Sequence, residues 1–177
     1  MNDIRDLDKT LKIKVIGVGG AGNNAITRMI EDNVQGVSFY MINTETGTLR
    51  RSKTSNILQI GVQTTRGLGA GANEIVGERA AIENKEDIKQ MLSGADLVFI
   101  TAGMGGGTGT GAAPIVAEIA KEMGILTIGI VTKPFLFEGK ARSLRAEKGT
   151  ERLKNNVDDL IAVSYTHLRA HETLRHL

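Results

Sequence analysis

The stretch GMGGGTGTGAAP, residues 103–114, has six glycines in its first nine positions and lies between two apolar segments. ADLVFITA precedes it and PIVAEIAKEM follows it, and both have the composition of core elements. A flexible linker would be rich in glycine and serine and would have polar flanks. Because glycine loses more conformational entropy on ordering than other residues, this many glycines between core elements indicate a loop whose backbone must approach something closely.

Apolar, β-branched segments alternate along the chain with segments of helical periodicity. Strands are expected at residues 13–19, 37–43, 56–61, 96–102, 125–132 and 159–163. Helices are expected near residues 26–34, over 74–92 with a break near Asn84, around 115–123 and over 138–156. This alternation predicts an α/β fold with a mostly parallel sheet that is covered by helices on both faces.

The composition narrows the class of protein. Hydrophobic residues make up 41% of the 177 residues, which is enough for the core of one domain. The net charge of +2 and the aromatic content of 3% argue against a nucleic-acid partner, and the absence of cysteine excludes disulfides and thiolate chemistry. The charged start lacks a signal core and no segment suits direct membrane insertion, so a cytoplasmic location is expected.

A second glycine-rich segment, GVGGAGNN at residues 17–24, follows the first expected strand, whereas residues 103–114 follow the fourth. In open α/β sheets, ligands bind at the carboxyl ends of the strands. Glycines there let backbone N–H groups approach an anion, and the next helix N-terminus adds unpaired donors. The two segments therefore predict a polyphosphate cradle. Thr108 and Thr110 could cap the helix or bind phosphate, and Pro114 is expected in its first turn.

A dinucleotide site is the alternative. Gly17, Gly19 and Gly22 match G-x-G-x-x-G between a strand and a helix, and Glu45 follows at about the distance of a ribose-binding acid. An NAD(P)-binding Rossmann oxidoreductase domain is therefore a second reading, although such a site does not require a second, longer glycine loop. The P-loop motif G-x-x-x-x-G-K-[ST] does not occur in the chain.

Four motifs in sequence order resemble the tubulin/FtsZ superfamily and, within it, the FtsZ family of bacterial cell-division GTPases. They are GVGGAGNNA (17–25), GLGAGAN (67–73), GGGTGTG (105–111) and TKPFLFEGKAR (132–142). The resemblance covers about residues 11–163. It implies a Rossmann-like GTPase domain that binds GTP or GDP with accompanying Mg²⁺. It also implies head-to-tail filaments, cell-division proteins as partners, and a cytoplasmic protein that acts at the midcell division site in septal ring assembly.

The resemblance also implies the nucleotide-binding residues. The first phosphate loop would comprise Gly19, Gly20, Ala21, Gly22 and Asn23. The main phosphate cradle would comprise Gly103, Met104, Gly105, Gly106, Gly107, Thr108 and Gly109. The remaining contacts would be Ala70 and Gly71 at the γ-phosphate, Thr44 and Glu45 close to the nucleotide, Pro134 at the sugar, Glu138 at the ribose, and Arg142 near the phosphates.

Several of these residues have ordinary alternatives or depart from the family pattern. Asn23 could be a polar residue in the first turn of a helix, and Glu138 and Arg142 have the i, i+4 spacing of an ion pair. The charged segment EGKARSLRAEKGTERLKNN, which begins at Glu138, otherwise reads as a solvated helix face. The family usually has aspartate where this chain has Glu45, and GANEIVG lacks the proline of GANPEVG. Both departures fall on the γ-phosphate side.

The resemblance places catalysis partly outside the chain. In the family, residues beyond the equivalent of residue 163 read the guanine, and an acidic loop of the neighbouring subunit completes the hydrolytic site. No catalytic residue is therefore assigned within the chain, and weak or absent hydrolysis is expected; Glu45 is the nearest candidate for a base. A non-enzymatic scaffold fragment is the third reading, should the chain not bind nucleotide.

The expected organisation has three parts. Residues 1–10 form a charged extension, residues 11–163 the GTP-binding domain, and residues 164–177 a tail of different composition. The tail contains His167, His171 and His176, which are all the histidines of the chain. A histidine-rich tract can bind metal, but a non-native tail is the favoured interpretation. No protein metal site is expected elsewhere.

Overall fold

The computed structural model describes residues 10–164 and contains one six-stranded sheet in which every strand pairing is parallel. The sheet has the strand order β3-β2-β1-β4-β5-β6. Its strands are β1 Ile13–Val18, β2 Ser38–Asn43, β3 Ile57–Gln59, β4 Leu97–Gly103, β5 Leu126–Lys133 and β6 Asp159–Ser164. The predicted α/β parallel-sheet fold is confirmed. Apart from Thr10 and Ser164, the expected extension and tail lie outside the described residues.

Seven helices and one short 3₁₀ turn connect the strands within the described residues. They are α1 Gly19–Glu31, α2 Thr46–Arg50, α3 Val62–Thr65, α4 Glu74–Glu83, α5 Lys85–Leu92, α6 Thr108–Glu122, the 3₁₀ turn Leu136–Glu138 and α7 Lys140–Lys154. None of the helices in residues 10–164 combines the length and the apolar character needed to cross a bilayer.

Alternate residues of the central strands point to opposite faces, so each strand contributes to two cores. On one face, Val15 and Met41 pack with Ile26 of α1 and Leu49 of α2. On the other face, side chains of β1, β2, β4 and β5 pack with residues of α4, α5, α6 and α7. A strand such as β1, IKVIGV, is therefore apolar from Val15 to Val18, its buried part, because a central parallel strand is covered on both sides.

The expected break near Asn84 is confirmed, because this residue ends α4 and precedes α5. Its Oδ1 accepts a hydrogen bond from the Gly61 N–H at 2.8 Å, and its Nδ2 donates to Asp87 at 2.8 Å. The same side chain therefore ties the helix junction to the end of β3. The short helices α2 and α3 were not predicted, since four or five residues carry too little periodicity to detect.

The prediction that Pro114 lies in the first turn of its helix is wrong. Helix α6 begins at Thr108, and Pro114 lies in its interior. The Gly111 N–H already donates to the Gly107 carbonyl at 3.1 Å, so the glycine–threonine run winds as helix rather than as loop. Proline at this position removes the backbone donor that would bond the Thr110 carbonyl, and the helix continues through it to Glu122.

Helices α4 and α6 cross at glycines that leave no room for a side chain. A Cβ at Gly111 would overlap the Glu74 carbonyl oxygen, and one at Gly77 would overlap the Gly107 carbonyl oxygen. This backbone contact fixes the first turn of α4, and with it the end of the preceding loop, against the first turn of α6.

We predict that Gly111→Ala destabilises the fold although alanine is the better helix former. The added methyl group must push α4 away, and overpacking of this kind costs about 1–3 kcal/mol, more than the gain of up to about 1 kcal/mol in helix propensity. The control is Gly47→Ala in α2, where the nearest atom to a Cβ lies at 3.7 Å, an ordinary contact. Urea unfolding that shows equal stability for the two variants would contradict this view of the crossing.

Candidate nucleotide-binding site

The order of the strands reverses between β1 and β4, and the two glycine-rich segments emerge from these two strands. In an open α/β sheet, this switch point leaves a crevice outside the carboxyl ends of the strands, where ligands bind. A cavity of about 690 Å³ lies there, a volume within the range of small-molecule and cofactor sites.

The loop after β1 approaches the loop after β4 closely at the backbone. Gly19 has a φ of +76°, and a Cβ at this position would lie 2.9 Å from the Gly109 backbone nitrogen. Helices α1 and α6 begin at Gly19 and Thr108, so both N-termini face the same cavity. The first N–H groups of a helix have no partner within it, and together these two ends form a surface of backbone donors.

Two residues of the predicted first phosphate loop do not line the cavity. A Cβ at Gly22 would lie 2.5 Å from the Thr101 carbonyl oxygen, so this glycine allows α1 to pack against β4. Asn23 is buried, and its Nδ2 donates to the carbonyl oxygens of Gly17 at 2.9 Å and Ile42 at 3.3 Å. Gly22 and Asn23 therefore hold α1 to the sheet. That they also contact the ligand directly stays a prediction.

Asn23 also orients the chain after β2. Its Oδ1 accepts from Asn43 Nδ2 at 2.9 Å, and the Asn43 Oδ1 accepts from the backbone N–H groups of Thr44 at 2.8 Å and Glu45 at 3.2 Å. These contacts run from α1 to the turn that places Thr44 and Glu45 at the cavity.

The two threonines of the second loop have different roles. Thr108 lines the cavity, and its hydroxyl lies 2.7 Å from the hydroxyl of the fully buried Thr44. Thr110 is buried, and its Oγ1 accepts from the Gly105 N–H at 2.8 Å. The Thr110 hydroxyl is therefore used to shape the loop, and of the two only Thr108 offers a hydroxyl to a ligand in the cavity.

The third and fourth motifs close the sides of the cavity. Gly69, Ala70 and Gly71 line one side, and an antiparallel bridge between Glu45 and Leu68 joins their loop to the turn after β2. Pro134, Phe135, Glu138 and Arg142 line the other side. The Glu138 carboxylate accepts from the Phe135 N–H at 2.7 Å, which shapes the 3₁₀ turn.

The suggested i, i+4 ion pair is not formed, since Glu138 and Arg142 are not joined by any hydrogen bond or ion pair in the described part of the chain. Arg142 and Lys133 thus bring two positive charges to the cavity. Within residues 10–164, no group of three or more His, Asp or Glu side chains could hold a metal ion.

The structure brings most of the predicted site residues to this one cavity. The predicted residues that line it are Gly19, Gly20, Ala21, Thr44, Glu45, Ala70, Gly71, Gly103, Met104, Gly106, Gly107, Thr108, Gly109, Pro134, Glu138 and Arg142. The predicted residues Gly22, Asn23 and Gly105 do not line the cavity. The lining residues that sequence reasoning missed are Val18, Asn43, Leu68, Gly69, Thr132, Lys133 and Phe135. Four of these (Val18, Asn43, Thr132 and Lys133) are at or near the last position of their strand, which is the signal that could have identified them.

We predict that Gly106→Val abolishes ligand binding without unfolding the chain. A Cβ at Gly106 meets no atom within 4 Å, and this residue lines the cavity. The new side chain therefore occupies ligand space, and the free energy of unfolding should change by only about 0.5 kcal/mol. Calorimetric titration with GDP and a thermal melt measure the two effects. Gly106→Ala should give an intermediate affinity; unchanged affinity in both variants would place the phosphates elsewhere.

Comparison with known proteins agrees with the resemblance that the sequence motifs indicate. The model of the Tubulin/FtsZ family, GTPase domain, matches residues 12–171. The chain is similar to an empty FtsZ dimer from M. jannaschii, with 49% identity and a TM-score of 0.86 over 90% of this chain and 47% of that one. CetZ1 from Haloferax volcanii, a GDP-bound monomer, shares the fold at 24% identity and a TM-score of 0.81, over 88% of this chain and 51% of that one. The chain thus spans about half the length of these solved chains.

Proposed function

The chain belongs to the tubulin/FtsZ family, and on that basis we propose that it is a GTP-binding cytoskeletal protein that holds GTP or GDP between its two glycine loops. One observation carries the proposal: two helix N-termini meet at the switch point, where Gly19 lets the two backbones approach each other closely. Helices α1 and α6 have 13 and 15 residues. Each N-terminus carries a partial positive charge and unpaired N–H donors.

The cavity suits a nucleoside di- or triphosphate. The glycine loops supply backbone N–H groups, Thr108 supplies a hydroxyl, and Arg142 and Lys133 supply positive charge. The side formed by Pro134 and Phe135 offers apolar surface to a sugar or base. No cluster of protein ligands for a metal exists in the described residues, so Mg²⁺ would arrive with the phosphates and be held by their oxygens.

The dinucleotide alternative receives no support from the matched family or structures. Glu45 does line the cavity, as a ribose-binding acid would in a dinucleotide site. However, the loop after β4 occupies the other half of the switch point with a second set of glycines, which suits a compact polyphosphate.

We predict that the purified chain binds GDP and GTP but not NAD. Titration calorimetry with GDP, GTP, ATP and NAD at equal Mg²⁺ concentration tests this directly. GDP and GTP should give saturable one-site binding. The titration with ATP measures how well this chain alone discriminates guanine from adenine. Saturable NAD binding with no response to GDP or GTP would overturn the proposal and favour the oxidoreductase reading.

Hydrolysis is proposed to be slow in the isolated chain. Among the described residues, Glu45 and Glu138 are the two carboxylates that line the cavity. Glu138 accepts the Phe135 N–H at 2.7 Å, whereas Glu45 is exposed and accepts the Thr48 hydroxyl at 3.3 Å. Neither carboxylate is buried, and the family resemblance implies that a neighbouring subunit completes the site.

Assembly and location follow the family resemblance as further proposals. The M. jannaschii FtsZ is described as a dimer and CetZ2 from Haloferax volcanii as a protofilament. We propose head-to-tail self-association, partners among the cell-division proteins, and action in the cytoplasm at the division site. Residues 11–163 are proposed as the GTP-binding unit, flanked by the extension 1–10 and the tail 164–177.

We predict that GTP turns over slowly and independently of Glu45. A positioned general base typically raises the rate by a factor of about 10²–10⁴. We expect that Glu45 is not such a base and that the chain lacks this contribution. Phosphate release should therefore be equally slow for the unchanged chain and for Glu45→Gln, while GDP affinity remains similar. Rapid release that falls at least 100-fold in Glu45→Gln would instead assign the base to Glu45.

A further inference from the structure

Both backbone polar groups of Gly105 are bound by side chains of the protein. Its N–H donates to Thr110 Oγ1 at 2.8 Å, in a buried contact. Its carbonyl oxygen accepts from Arg145 Nε at 3.1 Å. Gly105 has a φ of +112° and does not line the cavity, whereas Gly106 does.

These contacts determine the direction of the next N–H group. The peptide between Gly105 and Gly106 is trans, like all the described peptide bonds. In a planar trans peptide, the C=O and the N–H point in opposite directions. A carbonyl oxygen held toward Arg145, which does not line the cavity, turns the Gly106 N–H away from Arg145, and Gly106 itself does line the cavity.

A peptide between two glycines has little steric resistance to rotation, since glycine populates both signs of φ. Without a fixed carbonyl, this peptide could turn and present its oxygen to the cavity. An oxygen there would repel a phosphate, whereas the N–H attracts one. The orientation of this single peptide therefore decides whether the loop attracts or repels an anion at that point.

We propose that Arg145 is a positioning residue for the phosphate loop: it holds the Gly105 carbonyl, and Thr110 holds the Gly105 N–H, so that the Gly106 N–H is directed at a bound phosphate. The proposal deepens the proposed GTP or GDP binding and rests on it. Arg145 does not touch the ligand in this account, and it acts through the peptide that it orients.

Helix α7 is built to hold Arg145 in place. Arg142, Arg145, Gly149 and Arg152 recur at spacings of three or four residues, which places them on one side of the helix. At Gly149, a Cβ would overlap the Thr110 methyl group, so glycine here lets α7 lie close to α6. Arg152 donates to both carboxylate oxygens of Glu78 in α4, at 2.9 and 3.3 Å. The segment that reads as a solvated face thus has one side packed behind the phosphate loop.

The test uses two pairs of variants and one control. Arg145→Ala removes the donor to the carbonyl, and Arg145→Lys restores a positive donor. Thr110→Val removes the hydroxyl without changing charge, and Thr110→Ser keeps it. Lys148→Ala is the control. Lys148 is exposed on the same helix and makes no hydrogen bond or ion pair within the described part of the chain, and its loss also removes one positive charge.

Two readouts separate this proposal from the proposed function. The first is the dissociation constant for GDP, which should rise at least tenfold in Arg145→Ala and Thr110→Val, recover in Arg145→Lys and Thr110→Ser, and stay within twofold in Lys148→Ala. The second is the Gly106 amide resonance of the ligand-free ¹⁵N-labelled chain. It should shift or broaden in Arg145→Ala and remain unchanged in Lys148→Ala.

The outcomes that overturn the proposal are specific. If the unchanged chain binds GDP and Arg145→Ala binds it equally well, Arg145 does not position the loop. The same conclusion follows if the Gly106 resonance is unaffected by Arg145→Ala. If the unchanged chain does not bind GDP, the proposed function fails, and the Gly106 resonance still decides whether Arg145 orients the peptide.

Discussion

The structure depends on a contact between two backbones. Gly19 after β1 and Gly109 after β4 approach so closely that a Cβ at Gly19 would lie 2.9 Å from the Gly109 nitrogen. This approach brings the N-termini of α1 and α6 to one cavity at the switch point of the sheet. A side chain larger than hydrogen would separate the loops, and the backbone donors that they present would no longer converge.

The same kind of contact continues outward from the cavity. A Cβ at Gly107 would overlap the Gly71 carbonyl oxygen, and one at Gly111 would overlap the Glu74 carbonyl oxygen. The loop that bears Ala70 and Gly71 is therefore packed directly on the first turn of α6, and α4 follows it. Close-packed interiors transmit small displacements. A ligand that displaces one of these elements is therefore expected to displace the elements packed against it. The site is held by the core of the domain rather than by mobile loops.

Much of this could be predicted from the sequence. Strands such as β1 and β4 are apolar, β-branched and followed by glycine runs, and these local signals do not depend on distant residues. Other features could not be predicted, because they depend on partners far along the chain. Asn23 reads as a phosphate-loop residue, yet its amide is bound by Gly17 and Ile42, carbonyls that only the folded sheet brings together. Gly105 is surrounded by phosphate-binding candidates, but Arg145, 40 residues later, binds its carbonyl. Pro114 was misplaced because a glycine–threonine run gives no local sign of being helical.

The most direct test of the central claim is a map of amide chemical-shift changes when the ¹⁵N-labelled chain is titrated with GDP. Glycines provide the comparison, since they occur at both edges of the sheet, one formed by the carboxyl ends of the strands and the other by their amino ends. The account predicts the largest saturable shifts at Gly19, Gly20, Gly106 and Gly107, which line the cavity. Gly36, Gly94 and Gly124, which precede β2, β4 and β5 at the opposite edge, should shift little. Shifts of similar size at both edges, or no saturable shift at the glycine loops, would contradict it.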